Sequence, residues 1–245
     1  RSRVLPRVAL VSCRDLPFGH DDDGSLQSAC TSVGLDAEWR VWDDPAVEWA
    51  SYDLVVIRST WDYVARRDDF LAWAATVPRL ANPADVIDWN TDKRYLAELA
   101  AGGLPVVPTT WLTPGDEVRL PASGEYVLKP TVSAGGRDTA RYGTEDAERA
   151  GAHAAELLAG GRSVMVQPYL SAVDEQGETA LLYCGGQYSH AVRKGSLLTG
   201  PDPTVDGLYR EESIRPRQPT TAEREVAELV LAAVPGGPQR LLYAR

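Results

Sequence analysis

Cysteine and histidine are scarce, with three of each in 245 residues. Cys13, Cys30 and Cys184 lie far apart, are odd in number and lack a CxxC or Cys/His spacing. That argues against a disulfide framework or a zinc site, and reads as buried thiols in a reducing compartment. His20, His153 and His190 are equally scattered. With no HExxH and no local Ser/His/Asp grouping, metal-hydrolase and serine-hydrolase chemistry lack their residues. No apolar run approaches the ~20 residues of a membrane span. The stretch Val8-Ala9-Leu10-Val11 behind Arg1-Ser2-Arg3 is too short for the core of a signal peptide. A soluble, cytoplasmic protein is expected. Positive charge is in deficit too: 25 Lys and Arg against 35 Asp and Glu leave a formal charge of −10. Such a surface would repel a nucleic-acid backbone, so an anionic ligand must meet a local basic site.

What is present suits an α/β fold. At 44% hydrophobic the chain can bury a sizeable core. Val8–Ser12 reads as a buried strand, Gly24–Val33 as a helix, Leu35–Val41 as an alternating strand and Leu54–Ile57 as a β-branched run suited to a parallel sheet. This opening α/β layer is placed at residues 1–88. Asp92–Ala101 predicts a helix stopped by Gly102-Gly103. Thr109–Leu112, Tyr126–Lys129 and Val164–Gln167 predict strands, and Thr144–Gly160 a helix. Thr179–Cys184 and Gln187–Arg193 predict a hairpin through Gly185-Gly186. Leu198–Pro219 has no hydrophobic period and reads as a long loop, with a substrate cover as its expected role. Thr220 with Glu223 forms a capping-box pattern that opens a helix to Ala233. Leu241–Arg245 reads as a strand cut short, so further residues are expected after Arg245. No internal repeat or low-complexity tract is evident.

Two segments carry chemistry. Leu54–Ile57 ends in Arg58-Ser59-Thr60-Trp61-Asp62-Tyr63, dense in polar groups at a strand's carboxyl end, where open parallel sheets bind ligands. Arg58, Ser59, Thr60, Trp61 and Asp62 are candidate substrate contacts; the bland alternative is a helix cap. Tyr126-Val127-Leu128-Lys129-Pro130-Thr131-Val132-Ser133-Ala134-Gly135-Gly136-Arg137 delivers a lysine at a strand end and then a small, glycine-containing loop able to bring backbone N–H groups near phosphate. It is not a Walker A sequence, because lysine precedes the glycines. Alone, it fits a hairpin with a snorkelling lysine equally well.

The order Lys93 in Asn90-Thr91-Asp92-Lys93, then Lys129, then Val164-Met165-Val166-Gln167-Pro168-Tyr169-Leu170 resembles the ATP-grasp superfamily of carboxylate–amine ligases from about residue 85 onward. The Ile57–Tyr63 turn and Ser133–Thr139 are similar to the branch that includes the cyclising enzyme of D-cycloserine biosynthesis. The resemblance implies an ATP-grasp fold: an N-terminal parallel α/β domain (1–88), a central lobe with a lid loop (89–168) and a C-terminal lobe (169–245). It implies ATP and Mg²⁺, with Lys93 and Lys129 on the phosphates, Ser133, Gly135 and Gly136 in the lid, Gln167, Tyr169 and Leu170 reading adenine, and Glu178 on the ribose. Asp174 or Glu175, in the insert Ser171–Gly177, could take that last role instead. Arg193 is expected on a substrate carboxylate or phosphate, Lys194 more weakly on substrate, and Arg245 on the transferring phosphoryl group. The metal ligands are expected beyond Arg245. The implied activity joins a small carboxylate, as its acyl phosphate, to an amine or other nucleophile of a second molecule or of the same one. The rival readings are a degenerate nucleotide-binding protein and a kinase-like phosphotransferase. Expected partners are small-molecule carboxylates and amines, not nucleic acid or membrane, and a homodimer is left open.

Overall fold

The computed structural model describes residues 4–245, the side chain of Asp22 excepted; the basic start Arg1–Arg3 lies outside the described residues. The chain divides into two compact units, residues 1–89 with 239–243, and residues 90–238 with 244–245.

The first unit is built from β1 (Arg7–Ser12), α1 (Leu26–Ser32), β2 (Asp36–Val41), β3 (Leu54–Ser59), α2 (Arg67–Thr76), β4 (Leu80–Ala81) and α3 (Ala84–Thr91). Its four strands form an all-parallel sheet in the order β2-β1-β3-β4. The continuous apolar runs are explained by burial on both faces. Val8, Leu10, Ala37 and Val56 pack with Leu26, Cys30 and Trp39, while Ala9, Val11, Val55 and Ile57, of opposite strand parity, are buried as well. A second apolar group is aromatic, with Trp42 edge-on to Phe70 at 5.3 Å and Trp73 stacked on Phe70 at 5.3 Å. The returning segment is sewn in by Tyr243, whose hydroxyl donates to the Ile57 carbonyl at 2.7 Å, and by Leu242 N–H, which donates to Asn82 Oδ1 at 2.8 Å.

The second unit holds α4 (Tyr95–Ala101), β5 (Thr110–Leu112), β6 (Tyr126–Pro130), β7 (Ala140–Tyr142), α5 (Ala147–Ala159), β8 (Val164–Pro168), α6 (Ala172–Gln176), β9 (Glu178–Cys184), β10 (Gln187–Lys194), β11 (Ile214–Arg217), α7 (Thr221–Ala232) and the Ala244 end of β12 (Tyr243–Ala244). One antiparallel sheet is ordered β5-β8-β6-β7, the other β11-β10-β9-β12. Tyr126, Leu128, Val164 and Val166 bury one face of the first sheet against Ala150, Ala154, Leu157 and Leu158 of α5. The capping box forms as expected: Thr220 N–H donates to Glu223 Oε2 at 2.7 Å and Glu223 N–H to Thr220 Oγ1 at 3.2 Å. Gly185 and Gly186, at φ +57° and +76°, make the predicted tight turn between β9 and β10.

The structure corrects several local expectations. Lys93 does not open a helix running from Asp92; it lies in the link between α3 and α4. The 198–219 loop contains β11, whose Ile-Arg-Pro-Arg sequence lacks alternation and carries a proline that an edge strand tolerates. The insert Ser171–Gly177 is the helix α6. Cys184 is exposed, unlike Cys13, because it ends β9 at the hairpin tip.

Candidate functional site

Strand alternation sorts the first sheet of the second unit into two faces. Tyr126, Leu128, Val164 and Val166 take the helix side. The residues between them, Val127, Lys129, Met165 and Gln167, therefore share the opposite face, and the register adds Trp111 across from Met165 and Arg141 across from Val127. Lys129 is thus held by a rigid strand, one residue before Pro130 turns the chain into the glycine loop.

Lys93 is brought to the same place by backbone pairing, its N–H donating to the Thr131 carbonyl at 2.9 Å. Its ammonium donates to the Ser133 carbonyl at 2.7 Å and to Ser133 Oγ at 2.9 Å. Burial, and then the charge of Lys129, push the Lys93 ammonium down to about 8. Burial also lowers Lys129, opposed by the Glu178 carboxylate. Among the described residues no carboxylate lies within ion-pair distance of either lysine. Two part-buried lysines, the first pushed down by the charge of the second and neither in contact with a carboxylate, raise the free energy of the unliganded protein. An anion at this point would relieve it.

Beyond Pro130 the loop is shaped by Gly135 and Gly136, at φ +63° and +73°. A Cβ on Gly135 would stand 2.5 Å from Tyr209 Cβ and 2.7 Å from the Leu208 carbonyl oxygen, so only glycine fits. The segment running from residue 198 toward β11 lies against this loop. Arg210 N–H donates to the Gly135 carbonyl at 2.8 Å and Asp138 N–H to the Pro203 carbonyl at 3.2 Å. The Arg210 guanidinium donates to the carbonyls of Asp202 at 2.6 Å and Thr204 at 3.2 Å, which gathers the strap upon itself. Neither Tyr209 nor Arg210 could be found from the sequence, because aperiodic loops give no sign of what they pack against.

The other expected residues are placed as follows. Gln167 is buried and its amide donates to Thr109 Oγ1 at 2.9 Å. Tyr169 N–H donates to the Glu125 carbonyl at 2.8 Å and Leu170 is exposed. Glu178 is exposed and registers with Lys194. Arg193 departs from its expected anion contact: its Nε and Nη2 donate to the carbonyls of Gln176 at 2.7 Å and Glu175 at 2.9 Å, filling the orphan acceptors at the end of α6. Lys194 pairs with Glu212 at 2.8 Å rather than standing open. Arg245 is exposed after β12.

In the first unit the polar turn is largely committed to internal structure. Arg58 donates from Nε at 3.0 Å and Nη2 at 2.5 Å to Asp23 Oδ1, while Ser59 Oγ donates to Asp23 Oδ2 at 2.6 Å. Burial pushes the Asp23 carboxyl up, but the hydrogen bonds from Ser59 and Arg58 outweigh it and hold the group below its ordinary value. Thr60 is buried, Trp61 lies 5.1 Å from the His20 ring, and Asp62 accepts from Trp42 Nε1 at 3.0 Å and from Arg66. Arg58 and Ser59 thus neutralise the buried Asp23 carboxylate, while Asp62 is engaged with Trp42 and Arg66.

No group of three His, Cys, Asp or Glu able to hold a metal ion occurs among the described residues. Mg²⁺ usually rides on nucleotide phosphates with only one or two protein carboxylates, so such a cluster is not required for it. No helix is long and apolar enough to cross a membrane.

Comparison with known proteins bears on the family and the fold. Residues 8–82 match the family described as D-cycloserine synthetase DcsG, N-terminal domain. The cycloserine biosynthesis protein DcsG of Streptomyces lavendulae is 40% identical over 239 residues, covering 92% of this chain and 79% of the relative. The chain belongs to the DcsG family of ATP-grasp ligases. The crystal structure of D-cycloserine synthetase DcsG superposes with a TM-score of 0.81 at 36% identity, over 94% of this chain and 81% of that one. The D-alanine–D-alanine ligase of Bacillus anthracis, at 11% identity and a TM-score of 0.62, covers 98% of this chain and 81% of its own, and shows the shared fold. The expected ATP-grasp fold and ATP-dependent ligase activity are both borne out.

Proposed function

We propose that this DcsG-family ligase closes the ring of cycloserine or of a close analogue, in the cytoplasm, from a linear amino acid bearing an aminooxy-type nitrogen. The observation that carries the nucleotide part is the pair Lys93 and Lys129 beside a glycine loop, two ammonium groups lowered by burial and in contact with no carboxylate among the described residues. The kinship with the S. lavendulae protein supports the choice of product.

In this reading the substrate carboxylate oxygen attacks the γ-phosphorus of ATP. The bond from that phosphorus to the bridging oxygen breaks, and ADP leaves with the electron pair. The nitrogen of the same molecule then attacks the acyl carbon, loses its proton and expels phosphate as the tetrahedral intermediate collapses. Lys93 and Lys129 hold the phosphates, while the Ser133–Gly136 loop and the strap on it keep water from the acyl phosphate. Gln167, Tyr169 and Leu170 form the edge that meets adenine, Glu178 faces the ribose, and Arg245 steadies the transferring phosphoryl group. Catalysis is positioning and charge stabilisation, with no protein nucleophile.

The test is to incubate the purified protein with Mg-ATP and linear aminooxy amino acids of either hand, measuring ADP, phosphate and ring product by mass spectrometry. Equal amounts of ADP, phosphate and cyclic product support the proposal. ADP with a stable phosphorylated amino acid would make the protein a kinase instead. No turnover with any such substrate would remove the cycloserine assignment.

A further inference from the structure

The strand-end hinge between β8 and β9 is fastened by a residue with no place in the scheme above. Arg141, on β7, uses all three kinds of guanidinium nitrogen. Nε and Nη2 donate to the two carboxylate oxygens of Glu125 at 2.8 and 2.7 Å, and Nη1 donates to both oxygens of Asp174 on α6, at 3.0 and 3.2 Å. Its guanidinium carbon lies 3.7 Å from the centre of the Tyr169 ring, and the Tyr169 hydroxyl donates to the same Asp174. The Arg141 side chain is only 18% exposed. From the other side, Arg193 and Arg217 both donate to the Gln176 carbonyl at the end of α6, at 2.7 and 2.9 Å. The hinge residue Tyr169 is thereby held through ring, hydroxyl and backbone N–H at once. Arg141 N–H also donates to the Gly200 carbonyl, at 3.1 Å, which ties the beginning of the strap to the same point.

We propose that Arg141 is a positioning residue that fixes the Tyr169–Leu170 hinge as the base-reading edge of the nucleotide site, and so sets the preference for adenine. The inference rests on the ATP-grasp reading of that site. A planar, five-donor guanidinium can grip two carboxylates and stack on a ring together, whereas a lysine cannot. The phosphate cradle of Lys93, Lys129 and Ser133 shares none of these contacts. Loss of the clamp should therefore weaken recognition of the base and spare the triphosphate.

Calorimetric titration of wild type, Arg141→Lys, Arg141→Met and Asp174→Asn with ATP, GTP and inorganic triphosphate tests this. Both Arg141 variants are expected to bind ATP about tenfold more weakly and to lose most of the ATP-over-GTP preference, while triphosphate affinity stays within about twofold. Asp174→Asn should change in the same direction by less. Unchanged ATP affinity would overturn the proposal. An equal fall for ATP and triphosphate would overturn it too, leaving Arg141 a residue of general stability. Failure of the underlying reading looks different: wild type would then bind no ATP, or Lys129→Ala would bind it undiminished.

Discussion

Nucleotide binding at the Lys93 and Lys129 pair should be coupled to proton uptake, by an amount that follows from the structure. In the unliganded protein the Lys93 ammonium is pushed down to about 8, by burial first and by Lys129 second. Phosphate oxygens placed between the lysines would reverse both causes and keep each ammonium charged. With a free-state value of about 8, Lys93 is about half deprotonated at pH 8 and about 90% deprotonated at pH 9. Binding at those pH values should take up about 0.5 and about 0.9 proton, and about 0.1 at pH 7. Above pH 8 the nucleotide phosphates are fully ionised and contribute nothing. Because the two lysines interact, the uptake belongs to the pair. The assay is titration of ADP, which does not turn over, in two buffers of different ionisation enthalpy at each pH. Lys93→Met should abolish most of the uptake and weaken binding at least tenfold. Affinity in wild type should fall as pH rises through about 8, since the proton must then be supplied. Uptake below about 0.2 proton at pH 9, or uptake that survives in Lys93→Met, would refute the argument.

The same shift affects the unliganded fold with the opposite sign. A lysine whose folded value is lowered from 10.5 to about 8 makes the protein less stable while both states are protonated, so thermal stability should rise between about pH 8 and 10 in wild type and not in Lys93→Met. Gly135→Ala places a Cβ 2.5 Å from Tyr209 Cβ in a left-handed conformation that costs ~1 kcal/mol by itself. It should lower turnover at least tenfold by displacing the strap, while the melting temperature falls only slightly. Asp23→Asn, which removes the carboxylate shared by Arg58 and Ser59, should cost ~3 kcal/mol, or about 6–12 °C in melting temperature, and leave ADP affinity unchanged. His153, lowered from 6.5 by burial and bonded at 2.9 Å to the Tyr142 hydroxyl, must stay neutral in the fold. The unfolded chain binds that proton more readily, so stability is lost as pH falls below about 6.5, and His153→Gln should flatten the melting curve across that range.

What the sequence disclosed followed periodicity. The runs at β1, β3, β6 and β8 and the capping box of α7 were legible because burial on one or both faces imposes a pattern on neighbouring residues. Lys93, Lys129 and the glycines of the loop were legible as an ordered set, each weak alone. β7 was not: three residues, Ala140-Arg141-Tyr142, are too few to show alternation, and with the strand went the register that sets Arg141 on the face of Lys129. β11 was hidden by its proline and two arginines.

The polar turn after β3 shows a different limit. Arg58 and Ser59 supply the charge and hydroxyl that an active site would have, but a buried carboxylate that must be neutralised calls for the same groups. Asp23 stands 35 residues before Arg58 in the chain, and nothing local announces that the two meet. At the lysine pair the logic runs the other way. No carboxylate among the described residues contacts either ammonium, the fields of Asp92 and Glu178 do not restore their ordinary values, and a ligand of opposite sign would offset the remaining cost. The difference between these two clusters lies in whether a counter-charge of the chain makes contact, a property of three-dimensional pairing that composition at either site cannot express.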